Sequence, residues 1–323
     1  MTDMPKCDVL VIGSLNADLV VRAPHFPQPG ETISGEDLQI IPGGKGANQA
    51  VAVARQGASV SMLGRVGKDS FGPFLLDSLK SDSVDITHVH ADESATGTAI
   101  IVVDANGQNS IVLSAGANGK VSPLDVNNAS SLLRPSLILL QLEIPTPTVL
   151  HAAKYAKQNG IRVILNPAPA KSLPDELISL IDFIIPNETE LSLLTGLEVK
   201  DISSAEQAAK ILLNRGAKNV IVTLGSKGAL VVSSEQVTHV DTYKVDVVDT
   251  TAAGDAFIGG FASKLLESDS LLSKTQEQAP ALQIIKAVKY ANACGAMAAT
   301  KFGAQPSLPT KEETERFMSL HDG

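Results

Sequence analysis

The sequence predicts an α/β fold built on a doubly wound, mostly parallel sheet flanked by helices. Two observations carry this prediction. Short, continuously apolar runs alternate with longer helical patterns, which is typical of buried parallel strands joined by helices. A hairpin pattern at residues 95–113 interrupts the alternation around the turn dipeptide Asn106-Gly107, and it suits a small antiparallel appendage such as a lid.

The individual elements follow from the apolar runs and the residues that bound them. Strands are expected at 7–13, 60–64, 137–142, 161–165, 183–185, 220–224 and 229–232. Helices are expected at 47–56, 146–159, 204–215 and 254–266. Gly160 and Gly216 stand where two of these helices should end. The segment 18–41 suits irregular strands or a loop, and 267–280 is expected to be the least ordered part.

Composition excludes several classes of function. The 323 residues carry a formal net charge of −9 and only 3% aromatic residues, so neither nucleic acid nor an anionic membrane is an expected partner. No run of 18 apolar residues predicts a transmembrane helix, and the first residues lack the apolar core of a signal peptide. The two cysteines have no metal-ligand spacing and favour a reducing compartment, so we expect a cytoplasmic protein.

A glycine-rich segment at 42–50 precedes the first predicted helix. Clustered glycines let a ligand approach the backbone, and the helix N-terminus favours anions or hydroxyl acceptors. The segment is neither a Walker A loop nor a dinucleotide fingerprint, because the spacing fails and no predicted strand directly precedes it. A purely structural cap is the alternative, although Asn48 in the first turn favours a polar ligand.

A second segment, 248–260, places small residues and an acid at the start of another predicted helix. Backbone N–H groups there suit an anion hole, and Asp255 beside them suits a general base. The alternative is that Asp255 only caps the helix. The second carboxylate of Asp249 and the small residues between the two acids make capping alone less favoured.

Three further segments follow predicted strands or lie near the C-terminus. At 186–190, an asparagine and two acids could orient metal-bound phosphates through water, or Thr189 could cap a helix. At 223–228, glycine and hydroxyl residues could contact a nucleotide phosphate, or form a simple β-turn. Asn292 and the loop 300–307, with Asp249, could supply oxygen ligands to a cation.

Together these segments resemble the ribokinase (PfkB) family of sugar and nucleoside kinases. The N-terminal family signature is matched by Gly43, Gly44, Gly46, Asn48, Ala50, Gly57 and Gly67. The C-terminal signature is matched by Asp249, Gly254, Asp255, Gly259 and Gly260. The markers of the family's ribose-kinase subset are Asn16-Ala17-Asp18, the GGKGANQA motif, Glu143, NPAPA at 166–170, PNETE, DTTAAGD and GAQPS. The match therefore runs from residue 16 to residue 307.

The resemblance implies a single domain spanning 1–323, with a lid formed by about 16–43 and 95–115. It also implies transfer of the γ-phosphoryl group of ATP to the 5-hydroxyl of D-ribose. Asp255 would be the base, and backbone groups of Ala252, Ala253 and Gly254 would form the anion hole. The implied sugar-binding residues are Asn16, Ala17, Asp18, Gly44, Lys45, Gly46, Ala47, Asn48, Glu143 and Asp255.

The same resemblance implies ATP, Mg²⁺ and K⁺ sites. ATP would contact Asn187, Thr223, Leu224, Gly225, Ser226, Lys227, Gly228, Gly254, Asp255 and Asn292. Glu190 would place Mg²⁺ through water. The K⁺ ligands, mostly backbone carbonyls, would come from Asp249, Thr251, Ala298, Lys301, Gly303 and Ser307, with Lys301 offering its carbonyl and not its ammonium group. A homodimer is implied as well, since an exposed lid edge invites packing.

Other functions stay open at this point. The acceptor could instead be deoxyribose, fructose or a nucleoside such as pseudouridine, although Asp18, Glu143 and the GGKGAN turn favour a small free sugar. The scarcity of aromatic residues disfavours adenosine. A non-catalytic sugar-binding protein on the same fold is a second class, and the intact Asp255 argues against it. A dinucleotide-dependent oxidoreductase is disfavoured by the failed glycine spacing.

Overall fold

The structure is a computed structural model that describes residues 7–130, 133–272 and 280–321. The strands in this part of the chain are β1 (Val9–Ile12), β2 (Asn16–Arg22), β3 (Gln39–Gly43), β4 (Val60–Gly67), β5 (Asp85–Asp92), β6 (Gly97–Val103), β7 (Asn109–Ser114), β8 (Leu137–Leu140), β9 (Arg162–Leu165), β10 (Phe183–Ile184), β11 (Asn219–Thr223), β12 (Ala229–Ser233) and β13 (Val237–Val240).

Helices connect most of these strands. Over the same described ranges they are α1 (Lys45–Arg55), α2 (Phe71–Ser81), α3 (Pro123–Ser130), α4 (Thr146–Gln158), α5 (Asp175–Ile178), α6 (Glu188–Thr195), α7 (Ile202–Asn214), α8 (Ala253–Leu272), α9 (Pro280–Ala298) and α10 (Lys311–His321). Short 3-10 turns lie at Gly116–Lys120, Gly225–Lys227 and Gln305–Ser307.

The central sheet has the order β13-β12-β11-β10-β9-β8-β1-β4-β5, counted over the described residues. Its strands run parallel from β5 through β11, and β12 and β13 are added antiparallel at one edge. All seven predicted strands are members of this sheet, so the predicted fold class is confirmed. Strands β5 and β13 were not predicted, because both are edge strands with many polar residues and no continuous apolar run.

Helices cover both faces of the central sheet, as a doubly wound fold requires. On one face, alternate strand residues such as Val9 and Val11 pack with α1, α8 and α9 around the fully buried Phe261. On the other face, Leu10 and Ile12 pack with α4 and α7. Every residue of β1 and β8 is buried, which explains why both strands read as continuous apolar runs.

The second sheet has the order β3-β2-β6-β7. The predicted hairpin is present as β6 and β7, and Gly107 adopts a φ of 77° in its turn. The expectation of a purely antiparallel appendage is corrected, because β2 pairs parallel with β6 along its whole length. The segment 18–41, expected as irregular strands or a loop, contains most of β2 and the start of β3 with an irregular connection between them.

The four predicted helices are all present, with ends within a few residues of the expected positions except for α8. Gly160 and Gly216 follow α4 and α7 with positive φ values of 68° and 106°. Of the segment 267–280, expected to be the least ordered, 267–272 continue α8 and residue 280 begins α9, while 273–279 lie outside the described residues. Among the described helices, none combines the length and the apolar character needed to cross a membrane.

Candidate active site

Polar residues follow four adjacent strands of the central sheet at their carboxyl ends. Ser14 lies just after β1, Gln141 follows β8, Asn166 follows β9, and Asn187 lies beyond β10. These strands are neighbours in the sheet, so their carboxyl ends form one continuous edge. Ligands bind at this edge in open α/β sheets, and the polar row marks where the site lies.

The glycine-rich segment folds back onto this edge. Gly44 is the N-cap of α1 with a φ of 89°, and a Cβ there would lie 2.7 Å from the backbone nitrogen of Asn16. A Cβ on Gly46 would lie 2.6 Å from the nitrogen of Ser14, so only glycine allows this approach. The expectation that no strand directly precedes the segment is wrong: β3 ends at Gly43, but it belongs to the small sheet.

A cluster of hydrogen-bonding groups forms where the small sheet meets α1. The carboxylate of Glu143 accepts hydrogen bonds from the backbone N–H of Lys45 (3.1 Å), from Asn16 Nδ2 (3.5 Å) and from the Ser14 hydroxyl. Asn118 donates to Asn16 Oδ1 (2.7 Å) and fixes its orientation. The cluster brings together three residues of the predicted sugar site, namely Asn16, Lys45 and Glu143.

Asp255 lies in the first turn of α8 and is 4% exposed. Its Oδ2 accepts a hydrogen bond from Asn48 Nδ2 (3.0 Å), and its Oδ1 accepts one from Gln49 Nε2 (2.9 Å). Both donors belong to α1, so the carboxylate joins two helices and does not cap its own. The alternative of a simple helix cap is therefore not what the geometry supports.

Charges are concentrated around Lys45. Burial, together with the nearby carboxylates of Glu143 and Asp255, raises the pKa of Asp18 to about 7, although Lys45 opposes the shift. Burial disfavours the charged form of Lys45, but the surrounding carboxylates outweigh it and raise the lysine pKa. Lys45 is therefore a permanent cation at the centre of an acidic site.

Asp255 also lines a cleft of about 150 Å³. Its lining is largely polar and consists of Lys45, Asn166, Ile185, Asn187, Glu190, Thr223, Thr250, Thr251, Gly254, Asp255 and Ile258. Gly254 faces open space, because a Cβ there would meet nothing within 4 Å. Within the predicted anion hole, the N–H of Ala253 donates to the carbonyl of Thr250 (3.2 Å).

The segment 186–190 begins helix α6. Asn187 is its N-cap, accepting from the N–H of Glu190 (2.8 Å), while Glu190 accepts from the N–H of Asn187 (2.9 Å). This reciprocal capping box corrects the alternative that Thr189 is the cap. Burial raises the pKa of Glu190, against the opposing effects of the Asn187 hydrogen bond and Lys45.

The segment 223–228 forms the tip of the antiparallel connection between β11 and β12. Gly225, Ser226 and Lys227 are exposed, and Thr223 forms a bridge with Asn187. Asn292 is buried on α9 and donates to the carbonyls of Val240 (3.1 Å) and Asp241 (3.0 Å). These residues also border Gly228, so the predicted ATP-binding residues 223–228 and Asn292 lie in one region.

The predicted cation residues come together in part. Asp249 accepts hydrogen bonds from the N–H of Gly303 (3.0 Å) and from the N–H and hydroxyl of Thr251 (3.0 and 2.5 Å). The carbonyl of Ala298 accepts from the N–H of Lys301 (3.2 Å), whereas the Lys301 ammonium group pairs with Glu313 at 3.1 Å. Ser307 donates to the carbonyl of Ala304 (2.8 Å) in the same loop.

The donor chemistry of these regions fits hard cations. The loops around Asp249 supply carboxylate, hydroxyl and carbonyl oxygens, which suits an alkali cation held mostly by backbone. Glu190 and Asp255 face one cleft, and Mg²⁺ commonly uses one or two carboxylates together with substrate phosphates and water. Within 7–130, 133–272 and 280–321, no group of three or more histidine, cysteine or acidic side chains is arranged to hold a metal alone.

Known proteins similar to this chain are carbohydrate kinases. Residues 6–311 match the family described as pfkB family carbohydrate kinase. Ribokinase of Haemophilus influenzae is 44% identical over 310 residues, which cover 95% of this chain and 97% of the relative. Deoxyribokinase of Salmonella typhi is 40% identical over 318 residues, which cover 98% of this chain and 100% of the relative.

A solved structure of a similar protein has the same fold as this chain. The ribokinase of Arabidopsis thaliana, complexed with ribose and ATP, superimposes with a TM-score of 0.85 at 32% identity, covering 97% of this chain and 99% of that one. The fold, the site and these likenesses define a sugar kinase. The chain belongs to the pfkB family of carbohydrate kinases.

The sequence analysis missed four buried residues that organise the site: Ser14, Gln49, Asn118 and Gln141. Ser14 directly follows the predicted strand 7–13, and Gln141 lies near the end of the predicted strand 137–142, so the rule that ligands bind at carboxyl strand ends could have found them. Gln49 stands beside Asn48 in the glycine-rich motif. Asn118 gave no comparable signal, since it lies in a short 3-10 turn far from any motif.

Proposed function

We propose that this protein transfers the γ-phosphoryl group of ATP to the 5-hydroxyl of D-ribose, giving D-ribose 5-phosphate and ADP. The observation that carries the proposal is the position of Asp255. Its buried carboxylate lines the polar cleft with Gly254 and Glu190 and accepts a hydrogen bond from Asn48 of α1. The first residue of the same helix, Lys45, donates its N–H to Glu143 in the hydrogen-bonding cluster. A phosphoryl donor in the cleft and a sugar acceptor at the cluster would meet at this carboxylate.

Asp255 would act as the base. The 5-hydroxyl oxygen forms a bond to the γ-phosphorus while its proton passes to a carboxylate oxygen of Asp255, and the bond from the γ-phosphorus to the bridging oxygen of ADP breaks. Each carboxylate oxygen has lone pairs beyond the one used by Asn48 or Gln49, so it can still accept this proton. The start of α8, with backbone groups of Ala252, Ala253 and Gly254, would stabilise the negative charge on the transferred group.

The sugar would lie between the small sheet and α1. Glu143 and Asp18 would accept hydrogen bonds from sugar hydroxyls, and Asn16 and Asn48 would donate and accept. The Oδ1 of Asn48 supports this, because it is buried and has no hydrogen-bond partner among the described residues. The backbone of Ala17, Gly44, Gly46 and Ala47, together with Lys45, would complete the sugar site.

ATP would occupy the cleft and the neighbouring loop. Asn187, Gly254 and Asp255 line the cleft, and 223–228 and Asn292 would border the rest of the nucleotide. Lys45 supports an anionic occupant, because its ammonium group stays charged there. Glu190 would help hold Mg²⁺, which neutralises phosphate charge when bound. Water-mediated contact suits its position in the capping box.

A monovalent cation, K⁺, would bind at the loops around Asp249. Asp249, Thr251 and Gly303 are already joined by hydrogen bonds. Ala298 is the last residue of α9, and Lys301 and Ser307 lie in the segment that follows it and contains Gly303. The cation would stabilise the start of α8 through 249–251, the residues just before the anion hole.

We further propose one domain with a lid at about 16–43 and 95–115, and a homodimer formed through that lid. Leu19, Ile40, Ile100 and Val112 are aligned across the four strands on one face of the small sheet. Ile40, Ile100 and Val112 are 47%, 50% and 63% exposed, so this row supports packing against a second copy. The two buried, unpaired cysteines support a reducing, cytoplasmic location.

The first experiment measures ADP release from Mg²⁺·ATP with D-ribose, 2-deoxyribose, fructose and adenosine, each in K⁺ and in Na⁺ buffer. Fastest turnover with ribose, increased by K⁺, is the expected result. The Salmonella typhi relative makes 2-deoxyribose the chief competitor, and a higher kcat/KM for it would replace ribose in the proposal. Absence of turnover with every sugar, in a folded sample that binds ATP, would favour a non-catalytic sugar-binding protein.

A further inference from the structure

Two consecutive residues of α1 hold the carboxylate of Asp255, and only one of them belongs to the proposed sugar site. Asn48 donates to Oδ2, whereas Gln49 donates to Oδ1 at 2.9 Å. Gln49 is completely buried and lies among side chains of the central sheet edge. Its contacts therefore point to a role towards Asp255 itself.

A chain of amide hydrogen bonds fixes the orientation of Gln49. Asn166 donates its Nδ2 to the carbonyl of Ile185 (3.1 Å), so its Oδ1 faces Gln49 and accepts from Nε2 (3.2 Å). The same Nε2 donates to Asp255. The Oε1 of Gln49 is then turned to Gln141, whose Nε2 donates to it at 2.6 Å. Each amide in the chain has one orientation that satisfies its neighbours.

At the far end of this chain of hydrogen bonds, the Gln141 amide packs against the protein backbone. Gln141 is completely buried, and its Oε1 has no hydrogen-bond partner among the residues that the structure describes. A Cβ on Gly13 would lie 2.0 Å from this oxygen, so the Gln141 amide rests directly on the Gly13 backbone. A buried polar atom without a partner costs free energy, yet the amide is retained because Gln49 accepts from its other end.

We propose that Gln49 is a positioning residue for Asp255, held in place by Asn166 and Gln141. The inference rests on the proposed role of Asp255 as the base. Gln49 gives the carboxylate a fixed direction through a neutral donor. A lysine or arginine in this position would instead pair with the carboxylate and reduce its tendency to accept a proton. An amide orients the base and leaves it basic.

The chemical step should depend on this orientation more than sugar binding does. Without Gln49, Oδ1 loses its donor and the carboxylate is free to turn about its Cβ–Cγ bond, still held by Asn48 at Oδ2. Misplacement of a reacting group by about 1 Å can cost on the order of 100-fold in rate. The loss should therefore appear in kcat, while the sugar-facing groups of Asn16 and Glu143 stay in place.

The test compares Gln49→Met with Gln56→Met. Both glutamines are buried near or on α1, and Gln56 donates to the carbonyl of Pro309 (2.8 Å) and accepts from the Tyr290 hydroxyl (2.7 Å) away from the site. Each substitution keeps the side-chain length and removes hydrogen bonds at both ends of the amide. We expect kcat to fall about 10- to 100-fold in Gln49→Met, with the ribose KM changed less than about 3-fold, and kcat to be near that of the original chain in Gln56→Met.

A second variant, Gln49→Glu, gives a readout that a structural role would not affect. At neutral pH two carboxylates face each other, and activity should be low. As the pH falls, the introduced carboxyl group becomes protonated and regains an O–H donor to Asp255, so the ratio of the variant's kcat to that of the original chain should rise. The same ratio for Gln49→Met should not rise. The pH dependence of Gln49→Glu remains informative even where Gln49→Met folds poorly.

Asp255→Asn is measured in parallel, because it separates failure of this inference from failure of the proposed function. Turnover near the original value in Asp255→Asn would remove the base and with it the proposed function. If Asp255→Asn is inactive while Gln49→Met matches Gln56→Met in kcat, the positioning role is overturned. The same holds if the Gln49→Glu ratio is flat with pH. Circular dichroism spectra and melting curves accompany every variant.

Discussion

The sugar is expected to lie between two regions of very different construction. On one side, the edge of the central sheet at Gln49, Gln141 and Asn166 is completely or almost completely buried and linked by amide hydrogen bonds. On the other, the small sheet has a separate small apolar cluster of Val20, Ala99 and Ile101, and an exposed aliphatic face. The first region has one stable arrangement, whereas the second has little packing to hold it. We therefore expect the chemical step to depend on the first region, and any opening of the proposed lid to involve the second.

The largest effect expected on the rigid side comes from removing the base. Asp255→Asn should lower kcat by roughly 1,000-fold, because general-base catalysis commonly contributes about 10²- to 10⁴-fold. The circular dichroism spectrum should be unchanged, since an asparagine fits the same space. A coupled ADP assay measures the loss, and activity within about 10-fold of the original would contradict the assignment.

The next effect concerns the exposed face of the small sheet. Val112→Asp places a charge in the aliphatic row and should convert the proposed dimer into a monomer, because burying an unpaired carboxylate in an interface is costly. Light scattering after size-exclusion chromatography measures the mass. Leu320→Asp is the matched control, since Leu320 on α10 is 72% exposed and lies outside the row. Equal masses for both variants would remove the lid as the interface.

Asp18 tests how the small sheet contributes to binding. Its ionised carboxylate accepts hydrogen bonds from sugar hydroxyls, and its pKa is about 7, so the ribose KM should rise as the pH falls below 7. Asp18→Asn should show a flat KM profile over the same range. A KM profile that is identical in the two proteins would show that Asp18 does not titrate in the sugar site.

The raised pKa of Asp18 also affects the stability of the fold. Because the folded pKa is raised above the unfolded one, the charge of Asp18 destabilises the fold fully above pH 7, and this cost is lost as the pH falls towards about 4. Asp18→Asn should therefore be more stable than the original chain at pH 8, by on the order of 2–4 kcal/mol. The difference should shrink at pH 5, as denaturant titrations at both pH values would measure.

The smallest effect expected involves the other end of α1. Arg55 donates to the carbonyls of Gln305 (2.8 Å) and Leu308 (2.7 Å), and so supports the loop that contains Ser307. Arg55→Met should raise the K⁺ concentration for half-maximal activity a few-fold. Arg215→Met is the control, because Arg215 likewise donates to two carbonyls, of Leu173 in a loop and of Leu194 near the end of α6, away from the proposed cation residues. A K⁺ response unchanged from this control would contradict the role of Arg55.

The central sheet was easier to predict from the sequence than the small sheet. The buried strands and the helices α1, α4, α7 and α8 were predictable because continuous or periodic apolar runs specify them locally. Edge strands such as β5 were missed, since DITHVHAD carries no such run. The parallel pairing of β2 with β6 was also missed, because residues about 80 apart in sequence become neighbours only through the rest of the fold.

Residues of the candidate site could be predicted where they belong to a recognisable sequence motif. Asn48, Lys45 and Asp255 lie in glycine-rich segments whose spacing is visible in the sequence, and the structure brings them together. Gln141 and Asn118 contribute through long-range hydrogen bonds, to Gln49 and to Asn16, that no local pattern encodes. The strand-end rule locates Gln141, but these hydrogen-bond partners become evident only in the folded structure.

The capping box of α6 has a thermodynamic consequence for nucleotide binding. Asn187 and Glu190 satisfy each other's backbone N–H groups, so the start of this helix is ordered by its own side chains. Binding of Mg²⁺·ATP should therefore restrict few further torsion angles at the start of α6. Calorimetry should accordingly record a heat-capacity change no larger than burial of the nucleotide itself requires. Any excess should appear only when sugar is added and the small sheet closes.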